Sequence, residues 1–192
     1  DDFIGTLVKA SIDDKQITDE ELLSLVSLLI FAGFDTTRNQ LGLGMQTFSK
    51  YPQQWQLLGE NSDLARSSVE EVMRVNPTIT WVSREASVDF EYKDLAIKAG
   101  TTIHLLTLPA GSDPRKFDIN DFDITKDRAP HFGFGGGMHH CIGHYVARLD
   151  MKEAFKALSH RLPDMQITSG ATYLPDSGNT GPTKLPITFT QT

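Results

Sequence analysis

Cysteine is all but missing: the 192-residue chain has one, Cys141. A single thiol excludes an internal disulfide and any zinc or iron–sulfur site built from several cysteines, and a reducing compartment is the natural expectation. Clustered basic charge is also lacking. Eighteen Lys and Arg stand against 25 Asp and Glu, a formal net charge of -7, so the phosphate-neutralising footprint of a nucleic-acid-binding protein is absent. No apolar run is long enough for a membrane span, which takes about 20 residues. The longest, near residues 22–34, is interrupted by Ser24 and Ser27. The opening DDFIGTLVKA has no basic leader and no cleavage site, so no signal peptide or anchor is expected and a cytoplasmic protein is. There are no repeats and no dividing linker. With 39% apolar residues, residues 1–192 suit one globular unit, or part of a larger one.

What is present is helical patterning followed by short strands. Thr18 with Glu21 forms a capping box ahead of LLSLVSLLIFAGFDTTRNQLGLGMQTFSK. A helix running to about Lys50 has roughly 32 residues and spans about 48 Å, which only a large body can surround. Pro52 suits the first turn of the next helix. Another helix is expected from about Asp63 to Val75, stopped by Asn76-Pro77. The period then changes. VSREASVDFEY and AIKAGTTIHLLTL are rich in β-branched and aromatic residues and are parted by turn signals, as in a small sheet. A long ordered loop is expected over 109–137 and a helix over 141–160. The tail carries hairpin signals. The fold class expected is mostly α with small β-sheets, α+β.

The stretch HFGFGGGMHHCIGH (131–144) gathers the lone cysteine, five glycines and four of the six histidines. Glycine frees the backbone for positive φ and for close approach to a bulky planar group. A phosphate loop would need Lys-Ser or Lys-Thr after the glycines, and a dinucleotide loop a third glycine where His140 stands. Cys141 at a helix start would have backbone N–H groups favouring a thiolate, and a buried thiolate suits a soft metal. An inert buried cysteine is the competing reading. Cys141 and His144, spaced i, i+3, could share zinc, although His139 and His140 point apart. Two further patterns stand out. In AGFDTT, Asp35 is a carboxylate among apolar residues, and Thr36 and Thr37 can bond back to the preceding turn, which offers a proton relay or merely a kink. In EEVMR, Glu71 and Arg74 share a helix face, as solvated pairs commonly do.

Taken in order, AGFDTT, Glu71-x-x-Arg74, Arg84 in WVSREA and FGGGMHHCIG resemble the cytochrome P450 superfamily, in its bacterial soluble class. The resemblance covers nearly the whole chain. It implies the C-terminal half of that fold: a long central helix, a glycine-rich haem loop and a proximal helix after Cys141. Cys141 would be the thiolate ligand of haem b, pushing electron density to favour O–O cleavage. Phe134 would shield the sulfur, Gly135, Gly137 and Gly143 would shape the loop, and Arg84 and His139 would meet the haem propionates. Asp35 and Thr36 resemble the acid–alcohol pair that delivers protons to bound dioxygen. Glu71 and Arg74 would brace the loop as a buried pair. Their third basic partner falls at Lys126, which lacks arginine's planar fork, or passes to Arg128. Ser112 stands where the family has an arginine, and His144 where it has a small residue.

The resemblance further implies a monooxygenase acting on a small apolar substrate, with residues before Asp35, 80–83 and near Thr180 contributing to its pocket. It implies electrons from a ferredoxin or other reductase, met by Lys116, Lys126, Arg128 and Lys152. Family members are about twice as long, so the N-terminal half is expected to be absent, and a second chain carrying it is an expected partner. A non-catalytic haem-binding or partner-binding remnant and a zinc module are the alternatives.

Overall fold

The computed structural model describes residues 2–13, 16–118, 122–128 and 130–190. Packing divides the chain into two units, Asp1–Thr36 and Thr37–Thr192. Helix α2 (Asp19–Lys50) supplies residues to both.

In the first unit, α1 (Phe3–Ile12) is capped by Asp2, whose carboxylate accepts the Gly5 N–H at 2.6 Å. Helix α2 opens with the expected reciprocal box. Glu21 Oε2 accepts the Thr18 N–H at 2.8 Å, and Thr18 Oγ1 accepts the Glu21 N–H at 3.2 Å. Two of the N–H groups that a helix start leaves unpaired are thus satisfied. The Thr18 bonds also hold the Glu21 carboxyl below its usual range. Leu23, Leu28, Phe31 and Phe34 of this unit are exposed.

In the second unit, Phe48 is the hub of the core. Its ring centroid lies 4.8 Å from Trp55, 5.4 Å from Phe122 and 5.5 Å from Phe155. Burying each such ring stabilises the fold by about 1.5–3 kcal/mol. Trp55 belongs to α3 (Pro52–Glu60), where proline takes the first turn as expected, and its Nε1–H donates to Leu162 O at 2.8 Å. Gly44 lets α2 approach closely: a Cβ there would fall 2.3 Å from Phe155. A short 3-10 turn precedes α4 (Ala65–Val75), which ends at Asn76 as Pro77 dictates.

Four strands follow. β1 (Trp81–Glu85) pairs antiparallel with β4 (Thr102–Leu106), and β2 (Phe90–Tyr92) with β3 (Leu95–Ile97). The expected loop begins with a helical turn, α5 (Thr107–Gly111), because the Thr107 and Leu108 N–H groups both bond to Thr80 O. Within that loop, residues 119–121 and 129 lie outside the described residues. Helix α6 (His144–Arg161) then packs on α3 and α4. In the tail, β5 (Gln166–Ile167) pairs with β8 (Ile187–Thr188) and β6 (Thr172–Tyr173) with β7 (Pro182–Lys184). The architecture is the expected α+β type. Among the described residues, no helix is long and apolar enough to cross a membrane.

Candidate functional site

Helix α4 carries two adjacent glutamates, and each is gripped by an arginine fork. Glu71 and Arg74 are both 2% exposed. Arg74 Nε and Nη2 each reach a different Glu71 oxygen at 2.7 Å, and Nη1 donates to Gly111 O at 2.6 Å. The guanidinium lies 4.6 Å from the Phe117 ring centroid. Glu71 Oε1 also accepts the Asp123 N–H at 3.0 Å and Arg128 Nη2 at 3.1 Å. A buried carboxylate is tolerable only when so completely bonded. The third basic partner is therefore Arg128. Lys126 is exposed and sits 4.0 Å from Asp123.

Glu70, one residue earlier, faces the glycine loop. Arg148 of α6 donates to it twice, at 2.6 and 3.0 Å, and His131 Nε2 lies 3.0 Å away. Burial alone would raise this carboxyl, but the bonds from His131 and Arg148 and the charge of Arg148 outweigh it and hold it at about 2. Arg148 also stacks 4.4 Å from the Phe134 ring centroid and places Nη1 2.7 Å from His144 Nδ1. Desolvation, then the charges of Arg148 and His140, push His144 below its usual range. Nδ1 thus accepts from Arg148. Sequence reasoning gave Glu70 and Arg148 no place and left His144 without a role. The only sequence hint was that EEVMR offers a second acid beside the first.

The loop then runs along α4. The Gly133 N–H donates to His131 Nδ1 at 3.0 Å and the Gly135 N–H to Phe132 O at 2.8 Å. Gly135 and Gly137 take φ of +73° and +69°, which a Cβ would strain. Phe134 packs half-buried against the core. Its carbonyl accepts the Cys141 N–H at 2.9 Å. Two expectations are corrected at Cys141. Cys141 lies ahead of α6 rather than at its start, because Gly143 takes the N-cap position. Its side chain is exposed rather than buried. Ile142 and Met138 beside it are exposed as well.

Arg84 is exposed on β1, with Nη1 bonded to Ser83 O at 2.7 Å, and His139 is exposed in a 3-10 turn. Two of the three segments expected around a substrate come together: Thr78 Oγ1 donates to Thr180 O at 2.6 Å, and the Thr80 N–H to Gly178 O at 3.0 Å. Asp35 and Thr36 belong to the first unit, whereas the loop belongs to the second. Thr36 Oγ1 donates to Ala32 O at 2.8 Å, the back-bond expected for it. Among the described residues, no three His, Cys, Asp or Glu side chains cluster to hold a metal ion. Between α4 and α6 lies a cavity of about 870 Å³ whose lining includes Glu70, Lys126, Arg128, Arg148 and Lys152.

A family model described as cytochrome P450 matches residues 1–161. Luteothin monooxygenase of Streptomyces thioluteus is 41% identical over 98% of this chain and 47% of its own length. The methyl-branched lipid omega-hydroxylase of Mycobacterium tuberculosis is 33% identical over 98% of this chain and 45% of its own length. Among solved structures, the tirandamycin C-bound P450 monooxygenase TamI has a TM-score of 0.92 at 30% identity, covering 99% of this chain and 49% of that one. The chain thus spans about half the length of the curated relatives it matches.

Proposed function

Because the chain belongs to the cytochrome P450 family, we propose that it supplies the haem-binding part of a haem-thiolate monooxygenase. The observation that carries the reading is the loop itself. Its one cysteine presents an exposed side chain beside exposed Met138 and Ile142, after two glycines with positive φ. The glycines keep Cβ atoms off the loop where a flat apolar ligand would lie. A single soft sulfur donor, with no cluster of further ligands among the described residues, suits iron held in a macrocycle better than zinc, which takes four ligands from its surroundings.

Cys141 would hold the iron, with Phe134 behind it and Gly135, Gly137 and Gly143 shaping the loop. The exposed cationic side chain of Arg84 and the ring N–H of His139 would pair with the propionates. Haem b bound there supplies activation of O₂ and transfer of one oxygen atom to an organic substrate. Asp35 would hold a proton and Thr36 would pass it, since a hydroxyl that donates to Ala32 O still has lone pairs to accept with. Glu71, Arg74 and Arg128 keep the backbone at 111 and 123 fixed on α4. The substrate would be a small apolar organic molecule. The two similar curated proteins act, by their names, on luteothin and on methyl-branched lipids.

Electrons would come from a ferredoxin or other separate reductase. Exposed Lys126 and half-buried Lys152 border the cavity between α4 and α6, and Lys116 is exposed before it. Arg128 leaves that set because it is committed to Glu71. Lys126→Glu and Lys152→Glu should slow reduction by an acidic partner, and an unchanged rate refutes the docking role. The proposal as a whole is tested by reducing the haem-loaded chain under carbon monoxide. A red-shifted Soret band of thiolate-ligated haem is expected. Its absence, with zinc bound in stoichiometric amount, would replace the reading with a zinc module. Haem binding without substrate oxidation would identify a non-catalytic haem-binding module.

A further inference from the structure

We infer that His131 is a positioning residue for Cys141, holding the entry of the glycine loop to α4 through both of its ring nitrogens. The inference rests on Cys141 being the haem ligand. The ring is 5% exposed. The Gly133 N–H points at Nδ1, so that nitrogen carries no proton. The proton is therefore on Nε2, which donates to Glu70. One ring thus spans from a helix carboxylate to a loop amide, and only a residue with an acceptor and a donor in those two places makes both bonds.

The anchor at the far end is stiff. Glu70 is held by the Arg148 fork, and the same guanidinium lies over Phe134. Phe134 O in turn takes the Cys141 N–H. The loop is therefore fixed twice by one network, at Gly133 through His131 and at Phe134 through Arg148, and the second fixing point bonds directly to the residue that bears the sulfur. The first point leaves no room for error. A Cβ on Gly133 would stand 2.7 Å from Met73 Cε and 3.3 Å from Met73 O, so the loop lies against α4 with no room for a side chain at that point. Groups that orient a metal ligand tune affinity by about ten- to a hundredfold although they never touch the metal.

Two amide substitutions separate the two ring bonds. In His131→Asn the side-chain oxygen takes the place of Nδ1 and keeps the Gly133 bond. In His131→Gln the amide reaches the place of Nε2 and the Gly133 bond is lost. Amide hydrogen exchange in the cofactor-free full chain should show Gly133 and Cys141 exchanging about tenfold faster in His131→Gln, the factor that one net hydrogen bond supplies. Val72 and Phe155 in the core should keep their wild-type rates. His131→Asn should restore protection at Gly133. Wild-type exchange from Gly133 to Cys141 in His131→Gln overturns the inference. If that variant unfolds, His131→Asn decides alone, and loss of Gly133 protection there overturns it. With haem bound, His131→Gln should also weaken haem affinity by about tenfold and shift the thiolate Soret band. A wild-type chain without that band refutes the haem reading, while the exchange pattern still decides the positioning role.

Discussion

Arg128 donates to Glu71, with Nη2 3.1 Å from Oε1, while Lys126 turns back to Asp123 at 4.0 Å. The cause is local. Asp123 gives its N–H to Glu71 and accepts from the Thr125 N–H and hydroxyl, closing a turn that carries Lys126 outward. The longer, planar arginine two positions on reaches the buried carboxylate. Arg128→Ala should destabilise the chain by about 1.5–3 kcal/mol, the worth of a hydrogen bond to a charged group, and Lys126→Ala by no more than about 0.5 kcal/mol. Urea midpoints at unchanged slope measure both. Equal losses would remove Arg128 from the network.

The Glu71–Arg74 fork should be far costlier to break. Arg74→Ala strips the two fork bonds from the buried Glu71 carboxylate, leaving it the Asp123 N–H and Arg128, and takes the Arg74 donor from Gly111 O. A stranded buried charge of this kind costs about 3–5 kcal/mol. Arg74→Lys keeps the charge but supplies no fork, so its loss should fall between that value and zero. A loss below about 1 kcal/mol for Arg74→Ala, read from denaturant unfolding, would show a solvated pair instead.

Glu70 predicts an acid dependence. Its carboxyl is lowered from 4.5 to about 2 in the fold. Between those values the unfolded chain binds more protons than the folded one, so stability rises with pH through this window. The contribution is complete above about 4.5 and is lost as pH falls towards 2. Because the side chain is 36% exposed, solvent screens part of it. Glu70→Gln should lower the unfolding midpoint at pH 7, and its curve should close on the wild type as pH falls from about 4.5 towards 2. Parallel curves down to pH 2 contradict the assignment.

Thr36→Ala should change stability little, since its one bond returns to its own helix at Ala32 O. In the haem-loaded enzyme with substrate and reductase it should divert reducing equivalents to peroxide, because proton delivery is disturbed. Thr36→Ser keeps the hydroxyl and should restore coupling. The measurement is product formed per reducing equivalent consumed, and full coupling in the alanine variant removes Thr36 from the relay.

Local chemistry was legible in the sequence wherever its partners were near. The Thr18–Glu21 box, Pro52 at the start of α3 and the Glu71–Arg74 pair all join residues within four positions. Glu70 was opaque for the opposite reason: His131 is 61 positions away and Arg148 is 78. No periodicity signals such a pair, and only the folded contact between α4 and α6 makes it. Gly42 and Gly44 were silent in the same way, since Pro182 and Phe155 give them their meaning. The start of α6 was read early: Gly143 takes the N-cap position, so the helix begins at His144 and the Cys141 N–H bonds to Phe134 O ahead of it.

That bond also makes Cys141→Ser a clean test of the ligand. The interaction that places residue 141 is made by its backbone and survives the substitution. The side chain is exposed, so replacing sulfur by oxygen removes no core packing, and stability should stay within about 0.5 kcal/mol. The loop glycines keep their positive φ, and Phe134 stays under Arg148. A hydroxyl is a far poorer partner than a thiolate for a soft metal. The thiolate Soret band should therefore vanish while the fold, followed by circular dichroism and by exchange at Val72, remains. An unchanged band in Cys141→Ser would assign the iron to another ligand, with His139 and His140 of the same loop the first to substitute.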